Sequence, residues 1–165
     1  MTFRIDKSRT KLDAKKATEI MQKAMLDGMR DGLELIVTDA IDRTPIDSGT
    51  LRRSGTVTVG GLPDPDATYT AAGGGKAQGR SMLKAHNRPV GNEEAVYASF
   101  NTPYAGAIHE GFRKDRKTGK VYRLKPREGQ TKYLESAWKD NNAKVNALAA
   151  ARVRKALAAA RKGVE

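Results

Sequence analysis

The residues best equipped for chemistry are few and scattered. His86 and His109 are the only histidines. His109-Glu110 has no second histidine at the spacing that presents two metal ligands on one helical face. Gly73-Gly74-Gly75-Lys76-Ala77 has the look of a phosphate-binding loop. That loop requires Gly at position 70 and Ser or Thr at 77, where this chain has Thr70 and Ala77. Glu93 and Glu94 are adjacent, so on a strand they face opposite ways and do not form an acid/base pair. There is no cysteine, which removes disulfides, thiolate metal sites and a cysteine nucleophile. No nucleophile has an activating base near it in sequence. These residues predict neither an enzyme nor a bound cofactor or metal.

Charge is the stronger signal. Lys and Arg total 31 against 19 Asp and Glu, a formal net charge of +12. Residues 1–73 are balanced, with 11 of each sign. The excess lies in three segments. Residues 74–90 carry Lys76, Arg80, Lys84 and Arg88 with no acid. Residues 109–127 carry eight basic groups, among them Arg113, Lys114, Arg116, Lys117, Lys120 and Arg123, against Glu110 and Asp115. Residues 139–165 carry seven against two. Such a field favours an anionic partner, either nucleic acid or an acidic protein surface. Phe112 and Tyr122 interleave with the second segment and have the flat faces on which bases stack. The plainer reading of Tyr122 is a strand residue that packs inward. No helix-turn-helix, zinc-finger or RNA-recognition pattern accompanies the charge.

The elements that must position these groups follow from periodicity. Apolar residues at Ala17, Ile20, Met21, Ala24, Met29, Leu33, Ile36, Val37, Ala40 and Ile41 recur every three or four positions and predict a helix over 11–43. Gly28 and Gly32 inside it mark a bend or a close approach by a neighbour. Pro45 stops it at Thr44. Pro45-Ile46-Asp47-Ser48-Gly49 is a turn by composition, with Pro45, Asp47 and Gly49 its structural residues. Leu51–Val59 reads as a strand, with Arg52 and Arg53 alternating across it. Further strands are predicted at 67–72, 95–101 and 121–124, a small antiparallel sheet of about four. Residues 73–92 read as a long mobile loop, and 113–120 as an exposed basic hairpin tip. A second helix is predicted over 131–162, capped by Thr131. Its seam of Leu134, Trp138, Asn141, Val145, Leu148 and Arg152 is heptad-like, interrupted by Asn141 and Arg152. The layout is one α+β domain over 1–165.

Core material is scarce. Leu, Ile, Val and Phe total 29 residues, under a fifth of the chain and close to the composition of disordered sequences. This predicts a small core, protruding helices and stabilisation by neighbouring subunits. No run approaches about 18 apolar residues, and the N-terminus lacks the apolar stretch of a signal peptide, so the chain is expected to be soluble and made in a cytoplasm.

Three segments in order are more specific than any one piece. Thr44-Pro45-Ile46-Asp47-Ser48-Gly49-Thr50-Leu51-Arg52-Arg53-Ser54 follows the first helix. Val96-Tyr97-Ala98 and Tyr104-Ala105-Gly106-Ala107-Ile108-His109-Glu110-Gly111 come next. Gly129-Gln130-Thr131-Lys132-Tyr133-Leu134-Glu135-Ser136-Ala137 opens the last helix. The combination, over roughly residues 15–145, resembles the head–tail joining proteins of long-tailed bacteriophages, also called neck, tail-completion or minor capsid proteins. The resemblance implies a non-enzymatic virion part at the head–tail junction. It implies a ring of copies, sixfold by analogy, between the head connector or stopper and the tail terminator or tail tube. Genome DNA passes through such a ring, so Arg52, Arg53 and the basic loop residues named above become candidates for facing DNA or an acidic rim. The alternative is a free nucleic-acid-binding protein that uses the basic loops and the last helix.

Overall fold

The computed structural model describes residues 14–45, 49–63, 87–89, 95–115 and 117–162. Two helices of 30 residues dominate it. They are α1 (Ala14–Arg43) and α4 (Tyr133–Lys162). Each is about 45 Å long at 1.5 Å per residue. They pack antiparallel, with Gly28 against Ala149 and Gly32 against Val145. Between them in sequence lie the helical turn α2 (Thr50–Arg53) and the short helix α3 (Ala105–Glu110). Six short strands complete the fold: β1 (Gly55–Val59), β2 (Gly61–Pro63), β3 (Asn87–Pro89), β4 (Val96–Phe100), β5 (Phe112–Lys114) and β6 (Val121–Arg123).

The class is α+β, as the periodicity predicts. The strands depart from the expected single sheet of about four. They form three two-stranded antiparallel ladders, β1–β4, β2–β3 and β5–β6. Gly60, at φ 78°, turns the chain after β1 and lets it re-enter a strand at Gly61. That strand pairs with Asn87–Pro89, which lies inside the segment expected to be a loop. The strand expected at 67–72 lies outside the described residues. The second helix begins at Tyr133 and not behind a Thr131 cap. Lys132 takes φ 55°, outside helical geometry, and its N–H donates to the His109 carbonyl at 2.7 Å.

The core is small and sits on one side of α1. Ile36, Val37, Ala40 and Ile41 are essentially fully buried. Leu51, Tyr133, Ala137 and Val145 join Ile36 and Ala40 in one cluster from α2 and α4. Val57, Val96, Ala98 and Phe100 lay the inward face of β1–β4 on the same cluster. Each fully buried aliphatic side chain contributes about 1.5–3 kcal/mol, so few residues carry most of the packing energy.

The two interruptions of the α4 seam set its register on α1. Asn141 is buried, and its amide donates to Asp39 Oδ2 at 2.7 Å and to the Ala137 carbonyl at 3.0 Å. Arg152 pairs with Asp31 at 2.5 Å. Arg43 bridges Asp39 at 2.7 Å and Asp140 at 2.6 Å. A one-residue slip would break the Asn141–Asp39 bond between the helices, a hydrogen bond to a charged group that contributes about 1.5–3 kcal/mol.

The glycines of α1 are the reverse of helix-favouring residues, yet the contact needs them. A Cβ on Gly28 would lie 2.5 Å from the Ala149 Cα and 3.1 Å from the Leu148 carbonyl oxygen, both rigid backbone. Gly106 in α3 has nothing within 4 Å of such a Cβ. Gly28→Ala will therefore destabilise by about 1–3 kcal/mol in urea unfolding, because the clash exceeds the propensity gain. Gly106→Ala will stabilise by about 0.5–1 kcal/mol in the same assay.

Candidate functional site

A helix end leaves its last four carbonyls without partners inside the helix. At the end of α1 they are met by groups from two distant segments. The Arg52 guanidinium donates to the Thr44 carbonyl from Nε at 3.1 Å and from Nη2 at 3.0 Å. Nη2 also reaches the Asp42 carbonyl at 3.3 Å. Gln130 N–H donates to the Arg43 carbonyl at 2.7 Å. Thr44, fully buried, donates its hydroxyl back to the Ala40 carbonyl at 2.7 Å. The chain from α3 to α4 crosses this point at Gly129, with φ 78°; a Cβ there would stand 2.6 Å from the Pro45 nitrogen.

This corrects the expectation that Arg52 and Arg53 alternate across a strand. They sit in α2. Gly49 is left-handed at φ 79°, so the chain reverses and Arg53 N–H closes a helical turn onto the Gly49 carbonyl at 3.2 Å. That reversal swings Arg52 back under α1 and drives Leu51 into the core. Arg52 is thus a helix-capping residue. Pro45 follows the end of α1 and Gly49 precedes α2; residues 46–48, Asp47 among them, lie outside the described residues.

A second junction forms around Tyr133. Its ring is 1% exposed and its hydroxyl donates to the Ala105 carbonyl at 3.2 Å. Phe100 and His109 meet it edge-on, each with ring centroids 4.9 Å away. Burial pushes the phenol's pKa well above its usual value. His109 Nδ1 lies 3.2 Å from Glu110 Oε1, while Nε2 is buried without a hydrogen-bond partner among the described residues. Lys132 Nζ donates to Glu110 Oε2 at 2.6 Å. The Lys132 ammonium, with help from His109, holds the Glu110 carboxyl below its ordinary pKa. Gly111, left-handed at φ 82°, ends α3 and passes the chain to β5. His109 and Glu110 tie α3 to the start of α4. Among the described residues no group of three His, Asp or Glu is arranged to hold a metal. No described helix is long and apolar enough to cross a membrane.

The basic groups divide. Arg113, Lys114, Lys117, Lys120 and Arg123 stand on the β5–β6 hairpin. Lys76, Arg80, Lys84 and Arg116 lie outside the described residues. Arg88 is the middle residue of β3, opposite Leu62. The hairpin tip is held by Asp115, whose Oδ1 accepts from the Lys117 N–H at 2.9 Å and the Thr118 N–H at 2.7 Å. Tyr122 does not pack inward; it is 52% exposed, Phe112 50% and Val121 63%. The hairpin has three residue pairs, all exposed, and among the described residues its aromatics project with its cations.

Sequence reasoning missed a groove. It runs between β4 and α4 over α1, holds about 450 Å³, and is walled by Leu33, Ile36, Val96, Ala98, Leu134 and Trp138. Trp138 is 46% exposed on its rim. A tryptophan on the predicted seam of a chain with little else to bury was the one available signal. Comparison with protein-family models, curated proteins and solved structures finds no match.

Two measurements follow from this geometry. Arg52→Ala will lower stability by about 1.5–3 kcal/mol, the range for bonds to a charged donor, and Arg52→Lys will retain most of that loss because a single ammonium cannot fork. Glu110 has a lowered folded-state pKa, so its contribution is complete above its ordinary value of 4.5 and disappears as pH falls through the folded value. The melting-temperature gap between wild type and Glu110→Gln will be constant above that pH and close below it.

Proposed function

We propose that this chain is a structural subunit of the neck of a long-tailed bacteriophage, joining the head connector to the tail as one member of a ring. It acts by binding neighbours and not by catalysis. Its partners on this reading are further copies of itself, the head connector or stopper, and the tail terminator or tail tube. Genome DNA passes along the ring's axis.

The observation that carries the reading is the convergence of the three motif segments. Residues 44–54, 104–111 and 129–137 are far apart in sequence, yet they meet at the end of α1 and around Tyr133. The pattern that prompts the family resemblance is therefore one packed framework that ties the long helices to the strands. A conserved catalytic centre is not needed to account for its residue types. The outer surface fits a subunit that is completed by neighbours. Met25, Leu62, Phe112, Val121, Tyr122 and Trp138 are each more than 40% exposed.

Nucleic-acid binding is the second reading, favoured by the exposure of Phe112 and Tyr122 beside Arg113 and Arg123. Deleting the gene from its parent genome and imaging the particles separates the two. The neck reading predicts DNA-filled heads beside unattached tails. Normal joined virions would remove it and leave the nucleic-acid reading, whose mark is a steep loss of DNA affinity with salt.

A further inference from the structure

Among the described residues the outer edge of β4 is open, and its register shows which groups it offers. Asn101 N–H donates to the Ser54 carbonyl and Gly60 N–H to the Ala95 carbonyl, one beyond each end of the β1–β4 ladder. Hydrogen-bonded pairs alternate along an antiparallel ladder, so Tyr97 and Ser99 exchange bonds with β1. The backbone groups of Val96 and Ala98 point the other way, over the apolar groove. Among the described residues no strand pairs with that side. A strand edge beside an apolar groove is a template for strand addition.

The same chain carries a matching donor. In the β5–β6 hairpin, Gly111 and Asp115 bond across to Leu124 and Lys120, which by the same alternation turns the backbone groups of Val121 and Arg123 outward. β5 lies beside α3, leaving β6 outermost. Val121, opposite Lys114, shares a hairpin face with Phe112, and both are at least half exposed. Charge favours the match. The hairpin's described residues hold five cations and Asp115, whereas the one charged residue lining the groove is the acid Glu135.

We infer that β6 of one copy adds to the outer edge of β4 of the next, seating Val121 and Phe112 in the groove beside Trp138. The donor and acceptor are different surfaces, so the contact is head-to-tail and propagates into a closed ring or an open filament. This deepens the neck reading and rests on it for the expectation of closure.

Two variants at exposed positions test it: V121D/Y122D on the hairpin and W138E on the groove. Folding is checked by circular dichroism and assembly by native mass spectrometry. Wild type should form a closed multiple of the 17.9 kDa chain, and each variant alone a folded monomer. Mixing the two should give only a dimer, since one intact hairpin meets one intact groove. A wild-type ring that both variants still form overturns this pairing and leaves the ring reading standing. A wild type that stays monomeric at every concentration overturns both. If that monomer binds duplex or single-stranded DNA and V121D/Y122D does not, the hairpin belongs to nucleic acid.

Discussion

The carbonyls at the end of α1 cannot be left bare in a buried place, and the rest of the fold is arranged around meeting them. Thr44 is fully buried, so water cannot serve there. Arg52 and Gln130 supply the donors from opposite sides in sequence. To bring Arg52 into reach, the chain must reverse at Gly49; to bring Gln130, it must cross Pro45 at Gly129. Once both are placed, β1 must leave along α1 and α4 must start beside α3. A capping requirement thereby sets the path of the chain between its two long helices.

The helix pair then supplies length and register more than burial. Its seam uses two glycines for close approach and two polar side chains for alignment. A seam of this kind specifies one alignment, because Asn141 and Arg152 each meet one carboxylate on the other helix. It also leaves much apolar surface uncovered. Trp138, Met21 and Met25 lie outside the packed stripe, and the strands are too short to cover them. The exposed hairpin and the open edge of β4 belong to the same pattern. Among the described residues the fold is packed at its centre and leaves apolar side chains exposed at its margins.

His109 and Glu110 illustrate how residue type misleads about role. Their chemistry is that of an acid/base pair. In place, the imidazole lies against the Tyr133 ring and the carboxylate anchors Lys132. Arg52 has a structural role that its charge does not announce. Arg52 spends its donors on backbone carbonyls of its own chain.

The sequence by itself determined the two long helices, the α+β class, the end of the first helix before Pro45 and the basic hairpin. These depend on local periodicity and on the fixed torsions of proline, which act whatever surrounds them. It also marked Gly28 and Gly32 as places of bend or close approach. Tertiary structure alone decided that Leu51–Arg53 would be helical, because the left-handed Gly49 and the pull of the α1 carbonyls outweigh strand propensity over four residues. It decided the start of α4 through the Lys132 contact with His109. It also divided the strands into three ladders and opened the groove beside β4. Pairing partners and voids are relations between distant segments, and a pattern read along one segment does not contain them.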